Sequence, residues 1–178
     1  GSVCYGMSMT KRYLVTGGLG FIGSALVNRL NGAITVLSRT GNRKERLTDK
    51  RVTILQKSLD GIVEKDVEGC DVIYHLASTV DNYNILTDPY IDMETNVRCM
   101  IRLLEACKNL AKKPKIIFTS TFFVYGNEYE RSGVPIHEES RTEPLGLYPA
   151  TKLCAEEILA VYSRLYGIPY VICRFTNV

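Results

Sequence analysis

Two groups of residues in this sequence have types and spacings suited to chemistry. Tyr148 and Lys152 stand four apart in Tyr148-Pro149-Ala150-Thr151-Lys152, and on a helix such a pair shares one face, one turn apart. A phenol with a pKa of about 10 is a poor base at neutral pH. A nearby ammonium favours the phenolate, so the tyrosine could take a proton from a hydroxyl whose carbon gives up hydride, or return one in reverse. The second group is Thr16-Gly17-Gly18-Leu19-Gly20-Phe21-Ile22-Gly23. It holds two overlapping spacings, Gly17-x-x-Gly20-x-x-Gly23 and Gly18-x-Gly20-x-x-Gly23. Glycines turn tightly and let a pyrophosphate approach the backbone without meeting a Cβ. The first amides of a following helix lack partners within it, and its dipole is positive there. This is the fingerprint of a dinucleotide site. Gly17, Gly20 and Gly23, with Phe21 and Ile22 between them, are the expected cofactor contacts.

Either group alone is weak evidence, because glycine turns and Tyr-x-x-x-Lys helix faces are common. The elements around them give them weight. Tyr13–Val15 reads as a first strand, running into the glycine turn. Phe21, Ile22, Ala25, Leu26 and Leu30 then recur at helical spacing, up to Asn31-Gly32. Further apolar runs at Ala33–Leu37, Val52–Leu55, Asp71–Ala77, Lys115–Thr119 and Tyr170–Arg174 give strands two to six. A long helix is predicted from about Tyr90 to Lys112, with Met93, Val97, Ile101, Leu104 and Cys107 as its apolar stripe. Another is predicted from about Pro149 to Tyr166, stopped by Gly167. Between them, residues 126–147 form a polar loop too long for a plain connector. Apolar strands alternating with amphipathic helices imply an α/β fold: a doubly wound Rossmann parallel sheet, order 3-2-1-4-5-6.

The second strand ends Ser38-Arg39-Thr40-Gly41, without the acid that usually binds the ribose 2′-hydroxyl of NAD. Arg39 offers a planar donor fork suited to a 2′-phosphate. Ser38 and Arg39 are therefore expected at the nucleotide, with NADP preferred and NAD the alternative. At the carboxyl end of the fifth strand, where ligands of open α/β sheets sit, a hydroxyl such as Thr121 could bond the reacting oxygen.

Composition sets limits. The chain has 178 residues and a net charge of +3, while the stretch from Arg39 to Arg51 alone carries +4. That balance is no argument for nucleic acid. The six cysteines show no C-x-x-C pair and no metal-ligand spacing; they read as reduced thiols of a reducing compartment, and the protein is expected to be cytoplasmic. No apolar run approaches the roughly 18 residues of a membrane span. Residues 1–10 read as a leader outside the fold, Gly1-Ser2 resembling an expression remnant.

Together these residues resemble the extended branch of the short-chain dehydrogenase/reductase superfamily, the NAD-dependent epimerase/dehydratase family, over nearly everything from Lys11 onward. Besides the two groups above, the resemblance is carried by His75-Leu76-Ala77-Ser78, Asn96-Val97, Ser120-Thr121 ahead of Val124-Tyr125-Gly126, and Arg174-Phe175-Thr176-Asn177-Val178. It implies Tyr148 as acid/base, Lys152 on the nicotinamide ribose, and Thr121 as the catalytic hydroxyl. Leu76, Ala77 and Asn96 would meet the cofactor and Asn177 the substrate, while His75 would be structural. Dehydratases of the family carry Asp-Glu where Phe122 and Phe123 stand, so water elimination is not expected. The resemblance implies an epimerase or reductase acting on a sugar or nucleotide sugar, with a homodimer through the two long helices. In the family, Asn-Val leads into a substrate lobe; most of that lobe is expected to be missing here, and this chain by itself to lack turnover. The alternative is a non-catalytic NADP-binding regulatory module.

Overall fold

The computed structural model describes residues 10–48, 51–79 and 88–176. The expected leader up to residue 9 and the expected substrate contact Asn177 lie outside the described residues. Six parallel strands form one sheet: β1 (Arg12–Thr16), β2 (Ala33–Ser38), β3 (Thr53–Gln56), β4 (Val72–His75), β5 (Lys115–Thr121) and β6 (Tyr170–Phe175). Their order is β3-β2-β1-β4-β5-β6, as the alternating pattern implies. Val15 of β1 aligns with Val36 on one side and Tyr74 on the other. Leu14 and Val15 point to opposite faces, and both are fully buried, because helices cover the sheet on each side.

The two faces are unequal. Leu14, Ile73, Ile116 and Phe118 pack against Met100, Leu103, Leu104 and Cys107 of α3 (Cys99–Cys107) and Ala155 and Leu159 of α5 (Leu147–Tyr166). On the opposite face a smaller cluster of Val15, Ile34 and Val36 meets Val27 of α1 (Phe21–Val27). A single turn, α2 (Glu64–Val67), is capped by Asp66, whose carboxylate accepts from the Val63 N–H at 2.9 Å and pairs with Lys57 at 2.6 Å.

Several sequence expectations are corrected. Part of the predicted apolar stripe of the first helix faces away from the sheet: Phe21 is 76% exposed, and Ile22 and Ala25 are also exposed, while Leu26 is half-buried and Leu30 packs against the smaller cluster. The glycine turn draws α1 so close to β1 that only Gly23, Ser24 and Val27 fit beneath it. The helix ends at Val27, short of Asn31. In the long helix, Met93 and Ile101 are exposed while Val97, Leu104 and Cys107 are buried. The reason is a π-helical segment, Met93–Arg98, directly before α3. Its wider turn breaks the 3.6-residue period, so Asp92 and Asn96, rather than Met93, occupy the inner face. Strand β4 stops at His75 rather than Ala77, and β5 runs on to Thr121, where it pairs with Phe175 of β6. The polar loop after β5 contains a short helix, α4 (Glu128–Ser132). No helix among the described residues is long and apolar enough to cross a membrane.

Candidate active site

A groove of about 1790 Å³ runs along the carboxyl ends of the strands. Its centre is at β1 and β4, where the strand order reverses and open α/β sheets bind ligands. The glycine turn forms its floor. Gly17 has φ +70°, and a Cβ there would stand 2.8 Å from the Ala77 amide nitrogen. A Cβ on Gly23 would lie 2.1 Å from the Gly17 carbonyl oxygen. Both positions exclude any side chain. Phe21, Ile22, Leu76 and Ala77 line the groove with Gly17, Gly20 and Gly23. Thr16 locks the turn to the loop after β4: its Oγ1 accepts from the Ala77 N–H at 3.1 Å and stands 2.7 Å from His75 Nδ1.

At one end of the groove, Ser38 Oγ accepts from the Gly41 N–H at 3.1 Å and turns the chain, leaving Arg39 exposed on the wall. The Arg39 guanidinium makes no hydrogen bond or ion pair among the described residues. The basic loop behind it is held in place. Asn28 donates to the Arg46 carbonyl at 2.9 Å and accepts from the Thr48 N–H at 2.9 Å, and Arg46 donates to the Leu19 carbonyl at 3.2 Å. Ser58, Leu59, Asp60 and Cys99 line the same end. Sequence reasoning missed all four; the carboxyl end of the third strand, read as part of the same rim, would have pointed to the first three.

At the other end lie Thr121, Tyr148 and Lys152, all lining the groove. Lys152 is only 2% exposed. Its ammonium donates to the Thr119 carbonyl at 2.8 Å and lies 4.7 Å from the centre of the Phe118 ring and 6.0 Å from that of Tyr148. Burial pulls its pKa down to about 8, against the raising fields of Glu156 and Asp92. The expected lowering of Tyr148 by the lysine is not what the chain alone displays. Burial raises the phenol, the Ser78 hydroxyl lowers it, and the Asp92 carboxylate raises it further. Desolvation is the largest of these effects. Thr121 Oγ1 accepts from the Phe123 N–H at 3.3 Å, and the tilted rings of Phe122 and Phe123, 4.7 Å apart, line the groove beside it.

Asn96, expected at the cofactor, is not in the groove wall. It is 1% exposed, accepts from Ser78 Oγ at 2.9 Å and donates to Thr151 Oγ1 at 3.0 Å. It thereby ties the loop after β4 to the helix carrying Tyr148 and Lys152. His75 is 1% exposed and stacked on Phe118, with its centroid 5.5 Å away. Burial drives its pKa to about 3, so it is uncharged at neutral pH. Behind α5, Glu156 takes the Ser120 hydroxyl and the guanidinium of Arg174, at 2.7 Å from Nη2; Arg174 also donates to the Tyr125 hydroxyl at 2.8 Å. This ion pair fixes β6 against α5. Among the described residues no cluster of His, Cys, Asp or Glu is arranged to hold a metal.

Comparison with known proteins agrees with this geometry. The family model described as the NAD dependent epimerase/dehydratase family matches residues 13–178. A Methanocaldococcus jannaschii protein, provisionally named a UDP-glucose 4-epimerase, is 37% identical over 93% of this chain and 55% of its own length. The structure of a UDP-N-acetylglucosamine 4-epimerase from Methanobrevibacter ruminantium, in complex with UDP-N-acetylmuramic acid, superposes with a TM-score of 0.83 at 31% identity. It covers 93% of this chain and 55% of that one. A UDP-glucuronic acid 4-epimerase from Bacillus cereus, in complex with UDP-glucuronic acid and NAD, superposes at 0.81 with 30% identity, covering 92% and 55%. The chain thus spans about half the length of the relatives it matches.

Proposed function

This chain belongs to the NAD dependent epimerase/dehydratase family, and from that premise we propose that it serves hydride transfer at a hydroxyl or carbonyl carbon of a nucleotide sugar, as an epimerase or a reductase. The observation that carries this reading is the meeting of Thr121, Tyr148 and Lys152 on a groove whose floor is the glycine turn.

The residues fit a nicotinamide dinucleotide. Gly17 and Gly23 keep clear the space that a Cβ would fill, and the first-turn amides of α1 lack acceptors within the helix. When bound, the dinucleotide supplies the position that accepts and returns hydride. The chain's own side chains handle the proton. Tyr148, raised by its burial, is a neutral phenol at pH 7 and is set to donate; positive charge entering the groove favours the phenolate and the reverse transfer. Lys152, cut off from water, holds a fixed positive charge on the same helix face and offers donors toward a ribose. Thr121 orients the reacting oxygen.

The unpaired Arg39 fork, where an acid would serve NAD, supports NADP as the preferred form. Relatives bound to NAD support the alternative. A homodimer through the helices after β4 and β5, and a cytoplasmic setting consistent with the free thiols Cys70, Cys99, Cys107, Cys154 and Cys173, complete the reading. The alternative of a non-catalytic module gains no support, since a binding module has no need of an acid/base pair.

The test is Tyr148→Phe, assayed on UDP-sugars in the longest natural form of the protein. Turnover falls about 10³-fold while cofactor affinity holds. Unchanged turnover overturns the assignment.

A further inference from the structure

Asp92 is buried beside the site, and none of the roles above uses it. It lies just before the π segment and is 2% exposed. The Thr79 hydroxyl donates to its Oδ1, while Oδ2 has no partner among the described residues. A buried carboxylate with an idle oxygen is costly, and what offsets that cost is an opposite charge nearby.

The surrounding bonds identify that charge. Asn96, further along the same inner face, bridges Ser78 and Thr151. Ser78 is the chain neighbour of Thr79, which holds Asp92, and Thr151 is the chain neighbour of Lys152. One rung, Ser78–Asn96–Thr151, therefore runs from the loop after β4 to the helix that carries Tyr148 and Lys152, and Asp92, buried one turn before Asn96 on the same inner face, lies beside that rung without bonding to α5. From β5, the Lys152 ammonium meets only the Thr119 carbonyl and the Phe118 ring, neither of them a counter-charge. Glu156, one turn along α5, is committed to Arg174 and the Ser120 hydroxyl. His75, facing from β4, is uncharged. On Asp92's own segment, Glu94 and Arg98 pair with each other at the surface, 2.7 Å apart.

We infer that Asp92, acting through space rather than by direct contact and alongside Glu156, is a counter-charge to the Lys152 ammonium, a positioning residue that keeps the lysine protonated beside Tyr148. Its importance for turnover rests on the acid/base reading of that pair; its existence does not. Glu156 and, after it, Asp92 raise Lys152, and Asp92 also raises Tyr148, against a burial that brings Lys152 down to about 8. Without it, the lysine sheds its proton closer to neutral pH and the phenol loses its charged neighbour.

The experiment follows Lys152 and Tyr148 by carbon-13 NMR titration of the 178-residue chain, as wild type, Asp92→Asn and Asp92→Glu. Asp92→Asn moves the Lys152 midpoint to lower pH by about half a unit to one unit, with Tyr148 shifting the same way. Asp92→Glu, which keeps the charge, restores the wild-type values, as a purely structural role would not. A folded Asp92→Asn with the Lys152 midpoint unmoved overturns the inference. If that variant does not fold, Asp92→Ser carries the same expectation. If neither folds, Thr79→Ala, which releases the carboxylate from its hydroxyl donor, decides: a moved Lys152 midpoint is the expected result, and an unmoved one overturns the inference. These titrations are independent of turnover, so their failure is distinct from a failure of Tyr148→Phe.

Discussion

The two ends of the groove are built on opposite plans. At the proposed nucleotide end, around β1, β2 and α1, the wall consists of what side chains leave out: glycines without Cβ atoms, first-turn amides and the Arg39 guanidinium, unpaired among the described residues, over a small apolar cluster. At the proposed catalytic end, around β4, β5, α3 and α5, it consists of buried polar side chains: Lys152 and His75, whose ionisation burial alters, with Asp92 and the Ser78–Asn96–Thr151 chain beside them. The contrast matches the tasks proposed for the two ends. Holding a diphosphate takes space and positive potential, both available at the surface. Moving a proton takes groups whose charged forms are shifted in energy, and only removal from water shifts them that far.

The sharpest way to break the contrast is to give the empty end a side chain. Gly23→Ala sets a Cβ against the Gly17 carbonyl, so calorimetry finds no dinucleotide binding and thermal melts show a loss of about 3 kcal/mol. The same alanine swap at exposed Ala-tolerant surface sites costs almost nothing. The buried end answers to pH instead. His75 has its pKa depressed from 6.5 to about 3, so the unfolded chain binds more protons between those values. Stability is then fully present above pH 6.5 and lost as pH falls toward 3, at up to about 1.4 kcal/mol per unit. Urea unfolding across that range displays the slope, and His75→Gln flattens it. The smallest effect is expected at the rim. Arg39→Ala weakens NADP about tenfold and leaves NAD unchanged, by titration of both. Equal wild-type affinities for the two would remove the preference itself.

The same contrast explains what the sequence made legible. The glycine turn is local: eight consecutive residues carry it, and the strands around it read directly from their apolar runs. Strand order follows from the alternation of elements. The buried face of α1 was misread because close approach selects Gly23 and Ser24, residues too small to register as apolar. The bridge made by Asn96 was not legible for another reason. Its partners Ser78 and Thr151 lie 18 and 55 residues away, and nothing in a linear pattern brings them together. Tyr148 and Lys152 were legible as a pair, but not the balance between them. That balance depends on burial and on Asp92, which only the folded chain assembles.

The wide turn from Met93 to Arg98 sets the angular position of everything before it. Deleting a single residue there would let the stretch wind as an ordinary helix, rotating everything upstream by about 100° around the axis. Asp92 would swing off the inner face while every residue of α5 stayed where it is. A one-codon change far from the glycines would thus carry the carboxylate's field away from the lysine, a route by which sister sequences of this fold can retune proton transfer without altering a single reacting group.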